Sequence, residues 1–521
     1  MGKAIGIDLG TTNIVVTYRD KKGKLKVFKE GGTSVIPSAV YLLNKNECLV
    51  GKEALMRGKI NPKSLITNFK YDMGDNRKKK YVAENGDRIP LNSTQIARSV
   101  LVEVLKKVTQ KIMKEFPNED IEKAIITVPA KFNPIQKDNT KKAAIEAGLQ
   151  DVKVALESTA AAIAYAEENN IKSKILVYDF GGGTFDVSLI EKTGTGFREV
   201  VTPEGDRHLG GNLITKRIAE YIFDLIENEI GLPIPKERDD FDSDDYDFDY
   251  PEDIYIQNYN EVYEMAEKIK KFFSDTNNIE ESVTVIVPDE SSQRIENIDI
   301  KMDYKTFSNF IEKDIDRATE IGDRIIKDSG VNKDDITVIL TGGSSLLRIV
   351  GIKLEEYFDR GIEVFRTATL ISEGACILTE LIDGLEIEGN LPNDIGVKVN
   401  RSLGRVEFET LLEAGTVEKD AACEKEFSLM NDNQRSLKIQ LYERDRKNYP
   451  NAIKISDEGC MELSTLEIEL PENLKKDETS VKLKLNISKD GTLILNLSLQ
   501  NKIGKEIFNE ELKVKREEIL E

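Results

Sequence analysis

The chain of 521 residues has no tryptophan and a single histidine, His208. One imidazole cannot build a histidine-rich metal centre, and a Ser–His catalytic pair is disfavoured. Its four cysteines (Cys48, Cys376, Cys423, Cys460) are scattered, with no CxxC. That argues against a disulfide frame or a zinc site, and for reduced thiols in a cytoplasmic setting. No apolar run approaches the roughly 20 residues of a membrane-spanning helix. The N-terminus runs straight into a strand-like segment, so no signal peptide is expected. Basic residues are outnumbered 74 to 94, giving a net charge of −20 and a pI near 4.9. An acidic balance of this size opposes broad contact with nucleic acid or anionic membranes. The chain is too long for one core, so two to four domains are expected.

What is present is an alternation of strand-like and helix-like segments over the first 380 or so residues. Strand candidates are 4–8, 14–18, 124–128, 175–178 and 337–341. Between them Ile96, Val100, Val104, Val108 and Ile112 recur every four residues, the spacing of one helix face. Such alternation argues for an α/β fold. Residues 384–395, rich in Gly, Pro and Asn, read as a linker. Beyond them the pattern changes to period two. Leu483, Leu485 and Ile487 face Leu493, Leu495 and Leu497 across a Lys-Asp-Gly turn. Residues 396–521 therefore read as a small β-rich domain. The stretch 237–253, dense in Asp and Glu, reads as a solvated insertion.

Two segments, "AIGIDLGTTNIVV" at 4–16 and "ILVYDFGGGTFDVSLI" at 175–190, share one plan. Each is an apolar strand, an Asp, a glycine turn with threonine, and a second apolar strand. Glycines let backbone N–H groups approach phosphate oxygens where a Cβ would clash. Asp8 and Asp179 would repel phosphate directly. They make sense if a hydrated magnesium ion lies between them and the phosphates. Either turn alone reads as an ordinary hairpin, but two copies about 170 residues apart are hard to explain that way. A third glycine pair, in "VILTGGSSLL", is either a plain strand-to-helix turn or an approach to a nucleotide's sugar and base.

"GIDLGTTN", "VYDFGGGTFD", "ITVPAKFN", "GDRHLGGN" and "VILTGGSS" occur in that order. Together they resemble the nucleotide-binding domain of the seventy-kilodalton heat-shock chaperones of the DnaK type, within the actin-like ATPase superfamily. "FETLLEAGT" and "LKIQLYERDR" resemble that family's peptide-binding β-sandwich. The resemblance implies an α/β, two-lobed ATPase domain over 1–383 with duplicated ribonuclease H-like sheets, a linker over 384–395, and a β-sandwich over 396–521 without the family's helical lid. It implies ATP or ADP with Mg2+ at the base of a cleft, with Gly10, Thr11, Thr12, Asn13, Gly181, Gly182, Gly183, Gly210 and Gly211 around the phosphates. Gly342, Gly343, Ser344, Glu267, Lys270, Lys271 and Ser274 fall on the ribose and adenine side. On the same resemblance Asp8 and Asp179 would hold the metal through water, Lys70 would orient the attacking water, Glu157 would help position it, Thr184 would lie beside the γ-phosphate and Asp186 across the cleft. Pro129 matches a proline that relays to the second domain. Implied partners are extended polypeptide clients, a J-domain co-chaperone and a nucleotide-exchange factor.

The chain also departs from that family. Leu346 stands where an arginine stacks on adenine, and Ala368 where an acid is usual. Lys131 replaces a tyrosine, Lys137 an arginine, and the usual "NEPTAAA" is "LESTAAA", with Leu156 and Ser158. The family's leucine-run linker becomes Leu385, Glu386, Ile387, Glu388 and Gly389, whose acids are expected to weaken docking and co-chaperone pairing. The leading expectation is an ATP-dependent chaperone with slow turnover. The alternative is a nucleotide-binding interaction protein with weak hydrolysis and a dedicated partner. A small-molecule kinase of the superfamily leaves the β domain unexplained, and a filament-forming relative is opposed by the charge.

Overall fold

The computed structural model describes residues 3–117, 119–169, 174–194, 196–206, 208–230, 252–289, 292–364, 368–381, 386–400, 406–447, 449, 452, 459–488 and 492–514. The acidic stretch 237–253 lies outside them except for its last two residues, where the helix Glu252–Phe272 begins. Among the described residues no helix is long and apolar enough to cross a membrane.

Two mixed sheets organise the first 381 residues, and they repeat one another. The first runs Asp151–Leu156, Ile121–Val128, Lys3–Leu9, Asn13–Arg19, Leu25–Val27. The second runs Glu363–Val364, Ile336–Thr341, Lys174–Phe180, Phe185–Lys192, Gly196–Glu199. In both, two parallel pairings are followed by two antiparallel ones in the same positions. The strands are apolar nearly throughout because helices cover both faces. One large core lies under each sheet.

Two helices cross between the sheets. Leu370–Leu381 packs on the first sheet, where Gly6 lies against its backbone and Thr17 Oγ1 meets Ser372 Oγ at 2.8 Å. Glu157–Glu168 packs against the second sheet through its alanines and Ile163. The helices touch at Gly374, which abuts the Ala160 carbonyl so closely that a Cβ would overlap it. Small residues are needed at that crossing, and they fix the start of the second helix, where Glu157 sits.

Residues 394–513 form two four-stranded antiparallel sheets that share one core. The two alternating rows expected to face one another do so, in the register Leu483↔Leu497, Leu485↔Leu495, Ile487↔Leu493. This sandwich is docked on the rest of the chain. Ile135, from the helix Pro134–Glu146, is part of its core. Glu443 accepts from Asn133 Nδ2 and from Asn393 Nδ2, each at 2.7 Å. Lys137 pairs with Glu418, and Lys447 pairs with Glu204 at 2.6 Å and Asp328 at 2.8 Å.

The stretch read as a linker is ordered in part: Glu386–Glu388 adds in parallel to Gly196–Glu199, and the first sandwich strand begins at Asp394. The acids at 386 and 388 were expected to weaken docking, whereas the segment is docked. Strand addition is made by backbone N–H and C=O groups, which a charged side chain does not remove.

Candidate active site

The two glycine hairpins have the same local geometry. Gly10 N donates to Asn13 O at 2.9 Å, and Gly181 N donates to Thr184 O at 2.9 Å. Each turn follows an Asp at the end of a buried strand. Ser38 braces the first turn, its Oγ donating to Gly10 O at 2.7 Å and its N to Thr12 O at 2.8 Å. The helix Gly211–Ile230 braces the second: Gly211 N donates to Gly181 O at 3.0 Å and Asn212 N to Gly182 O at 2.6 Å.

The hairpins meet. A Cβ on Gly182 would overlap Thr12 Oγ1, and one on Gly183 would overlap Tyr71 and Thr11. Gly210 lies against the Gly183 backbone, where a Cβ would come to 2.6 Å. Asn212 Nδ2 also reaches Asn68 Oδ1 at 3.2 Å. Asn68 holds φ 57, a left-handed conformation that asparagine tolerates, and starts the turn Phe69–Asp72 that carries Lys70.

Below the hairpins lies a buried group of acids with one buried lysine. Lys70, 3% exposed at its side chain, donates from Nζ to Glu157 Oε1 at 2.7 Å. Asp179 and Asp186 are directly opposite in the antiparallel pair. Like charges in that position repel. Burial, then Glu157, pushes Asp8 up to about 7, with Lys70 and the Thr127 hydroxyl opposing. Burial and Glu157 likewise push Asp186 up to about 7. Asp179 is raised well above the usual carboxylate range by burial and by Glu157, Asp186 and Asp8. Such a cluster calls for added positive charge.

Asp8 and Asp179 supply hard oxygen donors from the two facing hairpins. Among the described residues no three His, Cys, Asp or Glu groups converge as direct metal ligands. A donor set of this kind fits a magnesium ion that keeps most of its water shell.

The third glycine pair buttresses the second hairpin. Gly342 has φ 84 and packs against Phe180 O and Asp179, and Ser344 Oγ donates to Gly181 O at 2.8 Å. Among the described residues nothing lies within 4 Å of a Cβ built on Gly343, which leaves room for a ligand at that backbone. Lys270 reaches in from the neighbouring helix, its Nζ donating to Gly211 O at 3.0 Å and Thr215 Oγ1 at 2.9 Å and pairing with Glu267 at 2.5 Å. Lys271 is 72% exposed and turned to Glu267, and Ser274 is half-buried at the end of that helix. These two are not drawn into the contacts around the hairpins. Leu346 is 51% exposed. Arg348, two residues on, is held elsewhere, 3.7 Å over the Tyr304 ring and bonded to Asn277 Oδ1 at 2.9 Å.

A cavity of about 380 Å3 opens beside this centre, lined by Lys70, Thr184, Asp186 and Pro129 and, from the sandwich, by Asp445 and Cys460. A family model described as Hsp70 protein matches residues 4–520. The chain belongs to the Hsp70 family. Hsp70 proteins are ATPases of the chaperone type that bind ATP or ADP with Mg2+ and act on polypeptide clients with co-chaperones. In this Hsp70 protein Ser38 and Tyr71 lie against the hairpins outside the quoted motifs, whereas Thr127 falls within "ITVPAKFN" and Asn212 within "GDRHLGGN". Of the first two, Tyr71 adjoins Lys70 in sequence, and Ser38 has no such neighbour.

Proposed function

We propose that this chain is an ATP-driven chaperone, binding MgATP between two actin-like lobes, hydrolysing it slowly and using the change to control the grip of the β-sandwich on extended polypeptide. The observation that carries the reading is the pair of hairpins closed by the same turn hydrogen bond that touch at Thr12 and Gly182 above a buried acidic cluster.

On this reading the backbone N–H groups of residues 10–13 and 181–184 take the phosphate oxygens. Asp8 and Asp179 would hold magnesium through its water shell, and the bound ion would neutralise phosphate charge. Lys70 faces the terminal phosphate, and its ion pair with Glu157 fixes where the ammonium points. Thr184, whose hydroxyl pulls the raised Asp186 carboxyl back down, lies beside that phosphate. Glu157 and Asp186 orient a water in line with it. The chemistry is placement and charge neutralisation rather than covalent catalysis. Gly342, Gly343 and Ser344 back the ribose, with Lys270 and Glu267 beside it.

The sandwich side rests on docking through Glu443, Glu418 and Lys447 and on the paired segment Glu386–Glu388. Coupling then runs more through ion pairs and amides than through an apolar linker. A second reading, a nucleotide-dependent interaction protein with weak hydrolysis, is favoured by one observation: sandwich residues line the cavity at the Lys70 end. Phosphate release from purified full-length protein, with and without an unfolded peptide, separates the two. Turnover that is abolished by Lys70→Ala and altered by peptide supports the chaperone. Nucleotide binding without turnover contradicts it.

A further inference from the structure

The 380 Å3 cavity joins the catalytic centre to the β-sandwich, and its cations are not equally employed. Lys70 is bonded to Glu157, and Arg317 pairs with Asp206. Lys131 differs. Its side chain is 17% exposed, and among the described residues it makes no hydrogen bond; its one ion pair is to Asp445 of the sandwich, at 3.9 Å. That separation is a charge pair without a hydrogen bond. An ammonium carries three N–H donors, and a largely buried one needs partners for them.

The same cavity wall holds Thr184 and Asp186, at the phosphate end of the site. Lys131 is close enough to Asp186 to act on it electrostatically: after burial and Glu157 raise that carboxyl, and the Thr184 hydroxyl lowers it, Lys131 is the next influence pulling it down. The group that fits a donor-rich, under-partnered ammonium here is a multi-oxygen anion. Asp445 is itself positioned by a turn, its N donating to Gly459 O at 2.9 Å and its O accepting from Tyr449 N at 3.0 Å.

We propose that Lys131 is a second cation for the terminal phosphate, before and after its transfer to water, and that Asp445 of the sandwich sets how far it reaches. This rests on the nucleotide reading above. In the transfer a water oxygen bonds to the terminal phosphorus. The bond from that phosphorus to the diphosphate oxygen breaks, its electron pair leaves with the diphosphate, and the water's proton passes to solvent. Lys131 keeps its protons and forms no covalent bond; it lowers the cost of charge on the departing phosphate. With the sandwich docked the ammonium is shared with Asp445, and with the sandwich away it turns wholly to phosphate.

The test uses full-length protein and compares Lys131→Met, Lys131→Arg, Asp445→Asn and the Lys131→Met/Asp445→Asn pair. Calorimetry measures MgADP affinity and the affinity of the ADP-bound protein for inorganic phosphate, and a single turnover of MgATP gives the rate. Lys131→Met is expected to lose about tenfold in phosphate affinity and about tenfold or more in rate, with MgADP affinity within about threefold. Lys131→Arg keeps most of both. Asp445→Asn tightens phosphate binding about threefold, and does nothing when combined with Lys131→Met. Thermal melting checks that each variant is folded, and the Arg and Asn variants carry the test should the Met variant fail. Unchanged phosphate affinity and rate in Lys131→Met, or an Asp445→Asn effect that is independent of Lys131, overturns the proposal. If the wild-type chain binds neither nucleotide, the nucleotide reading fails first and takes this proposal with it.

Discussion

Thr12, on the first hairpin, stands over Gly182 of the second with no room between them for a methyl group. Two turns far apart in the chain are thus in van der Waals contact through the one residue type that permits it. Gly182→Ala should force the hairpins apart. The expected outcome is a loss of at least about tenfold in nucleotide affinity with a stability cost of about 1–3 kcal/mol. Calorimetry and thermal melting read the two separately, and unaltered affinity would show that the contact is not part of the site.

Lys70 and Glu157 form a buried ion pair inside an excess of acids. Breaking it from the lysine side leaves Glu157 facing Asp8, Asp179 and Asp186. Lys70→Ala should therefore destabilise the nucleotide-free protein by about 3–5 kcal/mol, whereas removing both charges with Lys70→Met and Glu157→Gln should cost less than the lysine change alone. Denaturant titration of the three proteins checks this. Additive losses would contradict it.

Glu443 is the centre of the docking contact, one carboxylate oxygen for Asn133 and the other for Asn393. Glu443→Ala strands two buried amides, a cost of about 1–3 kcal/mol for each unpaired group. The segment Glu386–Glu388 should then exchange its amide hydrogens faster, while the hairpin strands stay protected. Equal protection in both proteins would mean that docking does not depend on this carboxylate.

Glu199 gives docking a pH dependence. Its Oε2 accepts from Asn390 N at 2.7 Å, and the buried Oε1 has no hydrogen-bond partner among the described residues. Burial pushes its pKa from 4.5 up to about 8; the Asn390 N–H and Lys137 oppose this, and Glu418 adds to it. The docked state therefore holds a proton that an exposed Glu199 releases. Between about pH 4.5 and 8 docking should weaken as pH rises, by no more than about 1.4 kcal/mol per pH unit. Glu199→Gln, which mimics the protonated group, should remove that component. Amide exchange of residues 386–388 across this range is the readout, and a parallel pH profile in the variant would contradict the assignment.

The hairpins were legible in sequence because their chemistry is local: an apolar strand, an acid and glycines within a dozen residues. The period-two sandwich strands were legible for the same reason: alternation named the two facing rows, and the structure adds their register. What sequence did not reveal is decided at long range. Asn133 caps its helix, accepting from Gln136 N at 2.9 Å, and its bond to Glu443 depends on how two domains meet. In sequence Lys131 is only a departure from the family's tyrosine; Asp445 and the cavity beside it come from the fold. The Glu-Ile-Glu segment reads as a poor docking strand, because side-chain pattern carries no information about a free backbone edge at Gly196–Glu199. The bracing of Gly181 by Ser344 joins turns 163 residues apart, and only the sheet order brings them together.

The central claim is that the two hairpins close on a nucleotide through a hydrated metal. Calorimetric titration of the folded full-length chain with ATP, in magnesium and again in chelator, tests it most directly. The expected result is one site per chain, tight in magnesium, at least about tenfold weaker in chelator, and weakened again by Gly182→Ala. No heat in either condition, from protein with an intact melting transition, would contradict it.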